Sequence, residues 1–184
     1  MTPAHQHFWN LSNTLTLIRI AAIPLVVLLL LAHGRTPSFF ASLVFVLAAL
    51  SDLLDGYLAR KRDQVTTAGK LLDPLADKLL VCAALIMLIP LNRVAAWMVV
   101  VIIARELVVT SLRGMAATQG MVISASPLGK FKSLLQVVAT ALLILHYPYF
   151  SINVSLLGMI VLWGALAMTV WSGVDYFVRF LKAT

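Results

Sequence analysis

The sequence is poor in charge, poorest in acidic residues, and almost without cysteine. Asp, Glu, Lys and Arg make up 11% of its 184 residues, while 61% are apolar and the mean hydropathy is +0.99. A soluble fold of this length cannot hide so much apolar surface, so lipid is the expected solvent. The single Cys82 excludes an internal disulfide, and its place in an apolar run makes it a packing residue. No internal repeat or low-complexity segment interrupts the chain, and its length suits one domain, residues 1–184. The net charge of +7 is not a nucleic-acid footprint, because the basic residues cluster in short connections between apolar runs. No nucleic acid is therefore expected as a partner.

What the sequence does have is a series of long, unbroken apolar runs without strand-like alternation. These predict an all-α integral membrane protein with six transmembrane helices, over about 14–32, 38–58, 71–89, 94–115, 131–145 and 152–178. Residues 1–12, with His5, His7, Phe8 and Trp9, predict a short interfacial segment before the first span. The first span is too long for a cleaved signal, and no small-residue cleavage site follows it. Asn13 is a candidate N-cap, and Pro24 is expected to kink the first helix without ending it. Arg19, inside that span, reads either as snorkelling to the near interface or as a charge facing the acidic residues described next.

The connections fix the direction of the spans. Arg60, Lys61, Arg62, Lys70, Arg113, Lys130, Lys132, Arg179 and Lys182 fall on one side, and Arg35 and Arg93 on the other. The positive-inside rule places both termini on the cytoplasmic side of the membrane.

Five of the seven acidic residues are Asp52, Asp55, Asp63, Asp73 and Asp77, at the cytoplasmic ends of the second and third spans. Carboxylates are costly at membrane depth and are normally functional there. Asp52 and Asp55 are three apart and Asp73 and Asp77 four apart, so each pair shares a helix face. Asp63 breaks this spacing amid Arg and Lys and reads as a solvated loop charge. Asp73 alone would suit a helix N-terminus, whereas Asp52 and Asp55 lie where the dipole disfavours an anion. Four gathered carboxylates would repel one another unless cations sat among them, and two divalent ions would cancel their charge. An all-oxygen donor set favours Mg²⁺ or Mn²⁺, and paired ions of this kind recur in phosphoryl transfer. Gly56, Ala59 and Gly69 either pack helices closely or leave room for a base or phosphate, and Arg60 suits a phosphate.

The stretch Asp52-x2-Asp55-Gly56-x2-Ala59-Arg60-x8-Gly69-x3-Asp73-x3-Asp77 resembles the full signature of the CDP-alcohol phosphotransferase family. It fixes eight residues across 26 positions. Further stretches resemble the phosphatidylglycerophosphate synthase branch. They are Asn13-Thr14-Leu15-Thr16 with Arg19, Gly69-Lys70, Leu72 to Lys78, Ile103 to Glu106, Leu112-Arg113 and Gly129 to Lys132. The resemblance covers about residues 10–180.

The resemblance implies transfer of a phosphatidyl group from CDP-diacylglycerol to glycerol 3-phosphate with release of CMP. It implies metal binding by Asp52, Asp55, Asp73 and Asp77, with Asp77 also the general base. It places Asn13, Thr16, Gly56, Ala59, Arg60, Thr66 and Gly69 around CDP-diacylglycerol. The expected location is a bacterial inner membrane, with the active site facing the cytoplasm. The acceptor's phosphate needs its own cationic pocket, for which Arg105, Arg113, Lys130 and Lys132 are the candidates. Arg105 and Glu106 are adjacent, hence about 100° apart on a helix, and are not expected simply to neutralise each other. Gly158 and Gly164 predict tight helix contact, within one subunit or in a homodimer.

Three other readings are open at this stage. One is a sibling phosphatidyltransferase using serine, inositol phosphate or phosphatidylglycerol. Another is a divalent-cation transporter, although no matching ionisable set occupies the other half of the bilayer. The third is a purely structural membrane subunit.

Overall fold

The computed structural model describes the backbone of residues 11–62, 67–118 and 127–183, and the side chains of residues 17–51, 76, 78–116 and 131–182. These residues form six helices: α1 Leu11–Leu31, α2 Arg35–Arg62, α3 Thr67–Leu88, α4 Ala96–Thr118, α5 Pro127–Leu145 and α6 Val154–Ala183. No strand occurs among them; one isolated bridge joins Tyr149 and Ile152. The fold is all-α. Residues 1–10, expected as an interfacial segment, lie outside the described residues, as do Asp63 and Thr66.

Two boundaries differ from the expectation. The basic stretch 60–70 is not one open loop, because α2 runs on to Arg62 and α3 begins at Thr67. Arg and Lys are good helix formers, so a helix need not stop where its apolar face stops. Likewise α5 starts at Pro127, not near residue 131: proline suits a first helical position, where its missing N–H has no partner to lose. Asn13 falls inside the first turn of α1, not ahead of it.

One helix segment, Val154–Lys182, is a clear membrane-span candidate by length and composition among the described residues. Shorter apolar helix segments are Leu17–Leu31, Arg35–Ser51, Lys78–Leu88 and Phe131–Leu145. Leu28, Val100, Leu107 and Trp171 are all exposed. An outer surface so rich in large apolar side chains suits lipid contact.

The chain forms two compact units, Met1–Ala84 and Leu85–Thr184. In the first, α1 packs on α2. Arg19, Ala22, Val26 and Leu30 form the buried stripe of α1, at spacings of three and four. Ala41, Phe45, Ala48 and Ala49 are buried on α2. Pro24 lies inside α1 without ending it, as the sequence predicts. Gly34, at φ 123°, turns the chain into α2 with a conformation that side-chain-bearing residues rarely adopt.

In the second unit α6 packs against both α4 and α5. A Cβ on Gly158 would lie 3.0 Å from Leu142 Cβ and 3.1 Å from the Leu143 backbone nitrogen, so glycine allows α5 and α6 to approach closely. Gly164 has open space around it. Phe150 and Ser151 both have positive φ in the tight turn closed by Tyr149 and Ile152. Asn153 then caps α6, its Oδ1 accepting the Leu156 N–H at 3.0 Å. Before α4, Asn92 takes a left-handed φ of 56°. The Arg93 N–H bonds to Leu88 O and the Asn92 N–H to Ile89 O, a Schellman arrangement that satisfies terminal carbonyls.

Candidate active site

The acidic signature occupies two consecutive helices. Asp52 and Asp55 lie in α2, and Asp73 and Asp77 in α3, with the undescribed residues 63–66 between these helices. Helical backbone at both places makes the spacings of three and four same-face spacings, as the sequence reading requires. Gly56, Ala59 and Arg60 also belong to α2, Gly69 to α3, Asn13 and Thr16 to α1, and Lys130 to α5. The side chains of all these residues lie outside the described set. Among the described residues no three metal-ligating side chains cluster.

Arg19 is a described charge of the first unit. It is 1% exposed, so snorkelling to the interface is excluded. Its Nε donates to Ala48 O at 3.4 Å, across from α1 to α2. Ala48 also accepts the Ser51 hydroxyl, at 2.7 Å. Because Ala48 is four residues before Asp52, this guanidinium sits about one helical turn from the acidic signature.

The second unit holds a polar lane among its helices. Arg105 of α4 donates Nε to Thr169 O at 3.2 Å and Nη2 to Ser172 Oγ at 2.8 Å, both on α6. Its Nη1 lies 3.3 Å from Glu106 Oε1. That carboxylate oxygen also receives Lys132 of α5, whose side chain is 2% exposed. Two cations therefore share one carboxylate. Gln136 Nε2 donates to Thr169 Oγ1 at 3.0 Å, and Thr169 and Thr140 bond back to carbonyls of their own helices. Further along the lane, Arg113 of α4 lies over the Tyr176 ring, with Cζ 5.8 Å from the centroid. Gly173 makes room for Arg105: a Cβ there would sit 3.0 Å from Arg105 Cγ.

The structure thus brings Arg105 and Lys132 to one point and sets Arg113 on the same helix, eight residues on. It also shows that Arg105 does reach the neighbouring carboxylate. Flexible arms bridge the 100° between adjacent helical positions, and the shared Lys132 keeps the pair from cancelling. The sequence reading passed over Gln136, Thr169, Ser172 and Tyr176. Their signal was present: polar residues at 169, 172 and 176 recur at helical spacing within an otherwise apolar run.

The chain belongs to the CDP-alcohol phosphatidyltransferase family, whose family model matches residues 9–171. It is 43% identical over 183 residues to the CDP-diacylglycerol–glycerol-3-phosphate 3-phosphatidyltransferase of Bacillus subtilis (strain 168), with 93% of this chain and 95% of that protein covered. It is 41% identical over 169 residues to the protein of the same name in Rickettsia bellii (strain RML369-C), covering 91% of this chain and 93% of that one. A probable phosphatidylglycerophosphate synthase of Mycobacterium tuberculosis (strain ATCC 25618 / H37Rv) is 38% identical over 176 residues, covering 94% and 82%.

Proposed function

We propose that this chain transfers the phosphatidyl group of CDP-diacylglycerol to glycerol 3-phosphate, giving phosphatidylglycerophosphate and CMP. The observation that carries this reading is the eight-residue signature of positions 52–77, borne on α2 and α3 with both Asp pairs at helical spacing. The relatives named for this reaction support it across nine-tenths of the chain. The family match from residue 9 to residue 171 runs through both compact units, which supports one working domain.

In the reaction a hydroxyl oxygen of glycerol 3-phosphate attacks the phosphatidyl phosphorus. A new P–O bond forms, the P–O bond to CMP breaks, and Asp77 takes the hydroxyl proton. Asn13, Thr16, Gly56, Ala59, Arg60, Thr66 and Gly69 surround the nucleotide and its phosphates. Arg105, Arg113, Lys130 and Lys132 hold the phosphate of the acceptor. Arg105 and Lys132, held to one point by Glu106, are charged donors suited to an anion.

The oxygen donors of Asp52, Asp55, Asp73 and Asp77 fit two hard divalent cations, Mg²⁺ or Mn²⁺. Bound there, such ions would neutralise charge on the diphosphate and on the departing CMP. Arg19, one turn away on the α1 side, adds a fixed positive charge to the same end of α2.

All six helices span the membrane in this reading, with both termini and the acidic end on the cytoplasmic side. The acyl chains then stay in lipid while the acceptor arrives from the cytosol. A homodimer would use Gly164, which has open space, because Gly158 is committed to α5.

The test is purified protein given CDP-diacylglycerol and Mg²⁺ with glycerol 3-phosphate, serine, inositol phosphate or phosphatidylglycerol in turn. CMP release is expected with glycerol 3-phosphate above all. A far higher rate with serine would overturn the choice of acceptor, and metal flux into proteoliposomes without CMP release would overturn the reaction.

A further inference from the structure

One polar group in the basic lane has no use in the folded chain. Tyr176 is 6% exposed, and its hydroxyl is sealed from solvent without a hydrogen-bond partner. A buried hydroxyl of this kind lowers stability, and native structures seldom retain one without a reason. The ring lies beneath the guanidinium of Arg113, one helical turn beyond Ser172, which is itself held by Arg105. The ring that carries the hydroxyl is therefore on the same stretch of α6 as the contacts of both arginines of α4, Arg113 through the ring itself and Arg105 through Ser172.

We propose that the Tyr176 hydroxyl donates a hydrogen bond to the phosphate of the acceptor, beside Arg113. This rests on the reading of the basic lane as the acceptor's phosphate pocket and adds a neutral donor to it. Arg105 and Lys132 already donate to Thr169, Ser172 and Glu106, so a phosphate there has use for a further donor. A phenol held rigid by burial supplies a directed donor at low entropic cost. The ligand class is a small phosphomonoester arriving from water, not the diphosphate of the lipid donor.

Tyr176→Phe isolates the hydroxyl. It keeps the ring under Arg113 and removes only the buried orphan, so the melting temperature should not fall. The expected result is a KM for glycerol 3-phosphate raised about tenfold, with the KM for CDP-diacylglycerol changed by less than about twofold. In parallel, glycerol 3-phosphate should raise the melting temperature of the unsubstituted protein clearly more than that of the variant, without CDP-diacylglycerol present. Unchanged KM values and equal melting shifts would overturn the proposal while leaving the reaction in place. A raised KM for CDP-diacylglycerol alone would also overturn it, by placing the hydroxyl on the lipid's diphosphate. If the unsubstituted protein released no CMP, the reaction itself would fail, and the melting comparison would still decide the role of Tyr176.

Discussion

The guanidinium of Arg93 donates to the carbonyl oxygen of Ile144 at 2.7 Å, with Leu143 O at 3.5 Å, from the connection before α4 to the last turn of α5. These are among the carbonyls a helix leaves unpaired at its end, and a cation there also meets the negative end of the helix dipole. Arg93 is buried and also faces the Tyr147 ring, 5.7 Å from its centroid. One of the two basic residues on the sparse side of the topology is thus a helix cap contributed from elsewhere in the chain.

Replacing it should be costly. Arg93→Met keeps much of the apolar stem but strips the Ile144 carbonyl of its donor, and about 2–3 kcal/mol of stability should be lost. Thermal unfolding in detergent measures this. A melting temperature equal to that of the unsubstituted protein would mean that water replaces the cap without loss.

His146 makes stability depend on pH. Burial, and then the nearby positive charge of Arg93, hold its imidazole below the usual value of about 6.5. The folded state therefore binds fewer protons than the unfolded state as pH falls below that value. Stability is complete above about pH 6.5 and declines as pH drops toward the folded pKa. His146→Gln should flatten that decline. An unchanged slope in melts between pH 7 and pH 5 would assign it to other groups.

Gly158 should tolerate no side chain. A methyl there meets the Leu143 backbone nitrogen at 3.1 Å as well as Leu142 Cβ at 3.0 Å, and backbone cannot swing aside. Gly158→Ala should cost about 1–3 kcal/mol by forcing α5 and α6 apart. Gly164→Ala, with open space, should be close to neutral, and equal losses in the two variants would contradict the packing described.

Much of this organisation is legible in the sequence. The number and order of the helices follow from apolar run length, and the position of Pro24 inside a continuing helix was expected. The acidic spacing was legible because period alone determines which side chains share a face. Arg19 was not resolved by pattern, since snorkelling and burial look alike until the helix it touches is known. Thr169, Ser172 and Tyr176 carry a helical spacing that the sequence reading passed over, whereas Gln136 stands alone in an apolar run and is recognisable only through its bond to Thr169. The division between Gly158 and Gly164 is likewise a tertiary fact.

Glu106 ties together two of the cations proposed to hold the acceptor's phosphate. Its carboxylate holds Lys132 and Arg105 together, and Glu106→Gln would leave two poorly hydrated cations side by side. A loss of about 3 kcal/mol is expected, as when one member of a buried ion pair is removed. Glycerol 3-phosphate should stabilise this variant more than it does the unsubstituted protein, because its phosphate replaces the missing negative charge. Equal stabilisation in thermal melts would separate Glu106 from the anion pocket.

The central claim is tested most directly by CMP release from CDP-diacylglycerol and glycerol 3-phosphate, comparing unsubstituted protein with Asp77→Asn in the same lipid and Mg²⁺. The account predicts a loss of roughly a thousandfold in rate with the melting temperature preserved, as expected when a general base is removed. Turnover by Asp77→Asn near that of the unsubstituted protein would contradict it.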